Sequence, residues 1–249
     1  MTLTPETLVL IGATFLLAGS VKGVIGMGLP SVSLGVLAAT LDLTTAMALM
    51  VMPSMATNLW QGLIGGHLKS LLTRLWPFFL AATVTVWLGA IALSSADLGL
   101  LSGLLGVLLA IYAGIALLGW RLTFAPQSEK WAGPGFGLVN GVLTGMTGSF
   151  VMPGVLYLQA IGLPRDALVQ AMGILFTLST IALAIALQRQ AFLTADLGLV
   201  SLASIIPALI GMVLGQRLRS MLSETAFRRV FFWSLLVLGL YIIARAAGV

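Results

Sequence analysis

Four stretches of this chain, Leu80–Leu93, Leu98–Trp120, Ile174–Leu187 and Val230–Ile243, are apolar all round. A helix without a polar face has no place on the surface of a water-soluble protein. Each stretch belongs to a segment approaching the roughly 20 residues that cross the hydrocarbon core of a bilayer. In lipid the backbone must satisfy its own hydrogen bonds, which leaves helices or a closed barrel. Continuous runs, rather than apolar–polar alternation, select helices. The composition agrees, with 59% hydrophobic and 8% charged residues, where a soluble domain carries about 25% charged. The expected fold class is an all-α polytopic membrane protein.

Several functions are excluded by the same inventory. There is no cysteine, so neither disulfides nor thiolate metal sites are available. The single His67 and scattered carboxylates form no metal-binding pattern, and no nucleophile–histidine pair or phosphate-binding loop is present. No cofactor, no metal and no enzymatic activity are expected. Met1–Val9 holds Glu6 and lacks a basic stretch, so a cleaved signal peptide is not expected. The net charge of +5 does not point to nucleic acid, because the basic residues sit in short connections between apolar spans. The expected partners are a small anionic substrate and membrane lipid, and a homodimer is compatible with the sequence.

Apolar segments lie at about 7–21, 24–41, 44–64, 71–94 and 98–120, then at about 131–146, 149–162, 165–187, 194–215 and 226–246. Between the two sets runs the polar stretch Arg121–Lys130, which reads as a cytoplasmic linker between repeats at 1–120 and 131–249. A shift of 118 superposes Gly19, Val21, Gly23, Val24 and Ser31 on Gly137, Val139, Gly141, Val142 and Ser149. Both matching stretches, Ser20–Pro30 and Asn140–Pro153, place glycine and proline inside apolar sequence. Such residues disfavour a continuous helix. Each is expected to be a helix that enters, breaks, and returns as a second short helix of about 15 residues.

If each broken pair starts and finishes on one side, nine cations share one face: Lys69, Arg74, Arg121, Lys130, Arg165, Arg217, Arg219, Arg228 and Arg229. Arg189 and Arg245 fall on the other. The positive-inside rule then places both termini outside and relates the halves by inverted topology, an arrangement found in secondary transporters. Each repeat would hold a broken-helix hairpin plus three transmembrane helices.

The breaks carry the candidate chemistry. A returning helix that begins at Gly28–Ser31, or at Gly148–Phe150, presents free amide donors and partial positive charge to an anion. Ser31 and Ser149 would cap those helices or donate to an oxyanion. Lys22, with Asn140 as its repeat mate, is expected about ten helical positions, roughly 15 Å, into the membrane. A lysine at that depth is a candidate for pairing with an anionic substrate. The alternative is a stem that snorkels to the interface. Asn58, Thr144, Thr147 and Gln170 are further polar candidates for the lining of a cavity, or for bonds between helices. The GxxxG spacing of Gly19/Gly23 and Gly137/Gly141 reads as helix packing, and His67 as an interfacial residue.

The stretches GSVKGVIGMGLPSVSLGVL (Gly19–Leu37) and GLVNGVLTGMTGSFVMPGVLYLQAIGLPRDALVQAMG (Gly137–Gly173) resemble the sulfite exporter TauE/SafE family of bacterial membrane transporters. Gly19, Gly23, Gly26 and Gly28 match its first glycine motif, and Gly137, Gly141, Pro153, Gly162, Leu163, Pro164, Ala171 and Gly173 match the second half. Leu29 and Pro30 stand where the family usually has glycine, Gly35 replaces a proline, and Ile174 and Leu175 replace Thr and Ser. The resemblance implies transport of sulfite, sulfoacetate or similar anions across the cytoplasmic membrane.

Overall fold

The computed structural model describes residues 4–120, 122–219, 221 and 223–248, and every described element is helical. The helices are α1 (Pro5–Ile25), α2 (Leu29–Thr40), α3 (Leu43–Leu63), α4 (Leu68–Val84), α5 (Val86–Ser95) and α6 (Leu98–Leu118). They continue as α7 (Pro126–Thr147), α8 (Gly154–Ala160), α9 (Arg165–Arg189), α10 (Ala195–Ala203), α11 (Ile205–Arg219) and α12 (Glu224–Ala246). Six stretches are long and apolar enough to cross a membrane: α1, α4–α5, α6, α9, α10–α11 and α12. Local chemistry sets the boundaries. Thr4, Asp42, Asp97, Thr194 and Ser223 each cap a helix start with a side-chain oxygen. Gly26, Gly119 and Gly148 end α1, α6 and α7 in the left-handed conformation that L side chains rarely adopt.

Several expectations about segment ends are corrected. Ser20–Ile25 is helical, so the first break is confined to 26–28 and Lys22 lies in the last turn of α1. The second break runs over 148–153, because α7 continues to Thr147 and α8 starts only at Gly154. The broken pairs are therefore unequal: 21 and 12 residues in the first, 22 and 7 in the second. The expected linker ends at Ala125, and Glu129 and Lys130 belong to the first turns of α7.

Glycine stripes set the packing. A Cβ on Gly19 or Gly23 would lie 2.1 or 2.2 Å from a backbone oxygen of α11, and one on Gly211 or Gly215 would lie 2.1 Å from one of α1. In the same way Gly137, Gly141 and Gly145 of α7 meet the backbone of α4 and α5. Both pairs run parallel, since Gly19 faces Ala208 and Gly23 faces Met212. α6 and α12 cross antiparallel, Gly106 against Gly239 and Gly103 against Ala246. Without a hydrophobic force between helices in lipid, this close approach of small residues is what dispersion acts on. The long α9 and α3 pack against each other in the middle. In α3, Pro53 cannot donate to the Leu49 carbonyl, and the Ser201 hydroxyl of α10 donates to it instead.

These directions define two faces. Ala39, Asp42, Leu98 and Arg245 surround one small cavity, so α2 and α12 end where α3 and α6 begin. Arg245 donates to the Ala39 carbonyl there. Thr4 lies on this terminal face too, because α1 runs parallel to α11, whose end leads into α12. The opposite, basic face gathers the starts of α4, α7, α9 and α12, and an Arg74–Glu129 ion pair at 2.7 Å joins α4 to α7 there.

Candidate functional site

Lys22 lies about 25 Å along α1 from its first residue, beyond the midpoint where the sequence placed it. It is 4% exposed. Its ammonium donates to Thr57 Oγ1 at 3.2 Å and to Asn58 Oδ1. The stem therefore turns inward to α3 instead of reaching along the protein to an interface. Among the described residues no carboxylate pairs with it. Thr57 and Asn58 occupy the fourth and fifth turns of α3, and Ser54 stands one turn before Asn58. Ser54 Oγ and Asn58 Nδ2 are buried without hydrogen-bond partners.

Asn140, Thr144, Thr147 and Ser149 form a second group around the break after α7. Asn140 Oδ1 accepts from the Gly154 amide at 2.8 Å, which caps α8, while its Nδ2 has no partner. Thr144 donates to the Ser149 carbonyl, and the Ser149 amide donates to Thr147 Oγ1 at 3.2 Å. Counted from the left-handed glycine that closes each helix, the counterpart of Lys22 is Thr144. The Gly26 amide donates to the Lys22 carbonyl, and the Gly148 amide to that of Thr144. The pairing of Lys22 with Asn140 is thus corrected by four residues.

The expected meeting of the two breaks is corrected as well. Around the first, a Cβ on Gly28 would touch Phe231 of α12, and Met27 accepts a hydrogen bond from Tyr112 near the end of α6. Both neighbours lie toward the basic face. At the second, a Cβ on Gly148 would touch Met47, in the second turn of α3, and Leu34, toward the terminal face. The breaks are offset along the helix axes. Gly28 is the N-cap of α2 with no side-chain cap, and the first intrahelical bond is Val32 to Gly28, so Ser31 sits in the opening turn. Ser31 Oγ is buried and unpartnered. Gly148 and Ser149 do not open a helix; Gly148 closes α7.

Gln170 is used structurally. Its Oε1 accepts from the His67 amide and its Nε2 donates to the Gly62 carbonyl, which ties α9 to the α3–α4 connection. His67 is exposed there. The sequence reading missed Ser54, Thr57 and Ser179. Ser54, Thr57 and Asn58 stand at i, i+3 and i+4 on one face of α3, a spacing that could have marked them together. Ser179 Oγ of α9 is likewise buried and unpartnered.

A helical bundle of membrane-spanning length, with two interrupted helices and several buried polar groups lacking partners, is the architecture of a multi-pass membrane protein. The family model described as sulfite exporter TauE/SafE matches residues 11–242, and the chain belongs to that family of membrane transporters. No curated protein and no solved structure matches it.

Proposed function

We propose that this protein exports a small sulfur-containing anion, sulfite or an organosulfonate such as sulfoacetate, across the bacterial cytoplasmic membrane by alternating access. The observation that carries the reading is Lys22, a buried lysine held by two neutral side chains, with no carboxylate beside it among the described residues. Removing a charge from water costs several kcal/mol unless an opposite charge compensates it. A bound anion supplies that charge. Donors without partners on four core helices, Ser31, Ser54, Asn140 and Ser179 together with Asn58, are suited to sulfonate or sulfite oxygens, which accept and do not donate.

Alternating access rests on the relation between the halves. Their elements follow in the same order, and α1 packs on α11 as α7 packs on α4 and α5. α1 and α7 leave opposite faces, which supports an inverted relation between the two repeats. The candidate residues Lys22, Asn58, Asn140 and Thr144 are all buried, which suits an occluded carrier better than an open channel. The concentration of cations on the basic face supports a cytoplasmic position for that face, with both termini outside.

Counterflow in proteoliposomes loaded with sulfite, sulfoacetate, isethionate, taurine, sulfate or acetate tests the reading. Exchange of at least one sulfur oxyanion in preference to acetate is expected. Flux without counterflow would make the protein a channel, and preference for acetate would remove the sulfur specificity.

A further inference from the structure

We propose that the cavity on the basic face is an anteroom of the transport site, and that it admits organic anions carrying an apolar tail of several carbons. The proposal rests on the export reading above and extends it to the class of substrate. The cavity measures about 490 Å³ and lies between the end of α6, α8, the start of α9 and the start of α12. Most of its wall is apolar, including Ile115, Ala116, Leu156 and Phe232, while among the described lining residues Arg228 supplies the one cationic side chain. The Arg228 guanidinium stands 5.9 Å from the Phe232 ring centroid. Among the described residues no carboxylate pairs with Arg228. One guanidinium set against an aliphatic and aromatic wall is complementary to an anionic head joined to a hydrocarbon chain, and too apolar for a fully hydrated inorganic ion.

One residue stands between the cavity and the core. The Tyr112 ring lines it, and the Tyr112 hydroxyl donates to Met27 Sδ at 3.0 Å. Met27 lies in the first break, between Lys22 and the start of α2. An anion held at Arg228 is thus one side chain away from the segment that leads to the lysine. A thioether is a weak acceptor, so breaking the Tyr112–Met27 bond costs little. Movement of Tyr112 would open the anteroom to the break.

The test compares methanesulfonate, butanesulfonate and hexanesulfonate, with binding read from protein fluorescence and flux from counterflow. Binding should tighten with chain length, by up to about 4-fold for each methylene that is fully buried. Ala116→Phe, which fills the cavity, should flatten this dependence of binding on chain length. Leu156→Trp fills it from the α8 side and replaces Ala116→Phe should that variant not fold. Arg228→Gln should weaken binding of all three sulfonates by similar factors, about 10-fold or more. Equal affinity for the three anions in the wild type would overturn the proposal, as would a chain-length dependence that survives both filling variants. Anionic lipid retained in native mass spectra and released by Arg228→Gln, with no chain-length dependence, would assign the cavity to lipid and also overturn it. Failure of the export reading is separable, because it appears as absent methanesulfonate flux with the chain-length dependence of binding intact.

Discussion

At Lys22, two neutral acceptors do the work that a carboxylate would do in a buried ion pair. Thr57 and Asn58 each supply one oxygen, which orients the ammonium without cancelling its charge. A carboxylate at either position would neutralise the site and compete with any anion. Lys22→Met keeps the apolar stem and removes the charge, so it separates ligation from packing. Its affinity for the transported anion should fall by about 10- to 150-fold, the equivalent of roughly 1.5–3 kcal/mol for a charged hydrogen bond. Isothermal titration on folded protein checks this, and unchanged affinity would confine any anion site to the helix ends. Ser54→Ala should weaken binding less, because the lysine and the Asn58 amide remain. An equal loss in Ser54→Ala and Lys22→Met would contradict that order.

For the helices, contact between α1 and α11 depends on the absence of side chains. A Cβ at Gly215 would stand 2.1 Å from the Ser20 carbonyl oxygen, and backbone on both sides leaves nothing flexible to yield. Gly215→Val should destabilise the protein by about 1–3 kcal/mol, the usual range for overpacking, read as a lower midpoint of unfolding in detergent. Gly198 in α10 has open space around its Cβ position. Gly198→Ala should therefore be neutral or stabilising by up to about 1 kcal/mol. If both substitutions behaved alike, the seam between α1 and α11 would not be packed as described.

The whole molecule sets orientation and energetics. Reporters fused to either terminus should be active outside the cytoplasmic membrane, and a cytoplasmic C-terminus would reverse the assignment of the basic face. An anion leaving a cell with a negative interior gains about 2.3 kcal/mol per charge per 100 mV, so export needs no coupled ion. Imposed potential should change flux more than a pH gradient of equal energy does. Strict dependence on the proton gradient at zero potential would require a coupling group, and exposed His67, at the start of α4, is the first to substitute.

Residence in the membrane, the helical class, the two interruptions and the isolated lysine were all legible in the amino-acid order. Each depends on local properties: apolar length, the backbone freedom of glycine, and the rarity of charge in lipid. The depth of Lys22 was not legible, because it depends on where α1 ends, and helix propensity does not distinguish a glycine that packs from one that caps. Gly19 and Gly23 pack on α11 within the helix, while Gly26 closes it. The partners of the lysine come from α3, 35 and 36 residues away, and their selection needs the crossing of α1, α3 and α11. Similarly, Gln170 was a polar residue of undetermined use until the fold brought it to the Gly62 carbonyl. Long-range packing decided which buried donors found partners and which, like Ser54 and Asn58, did not.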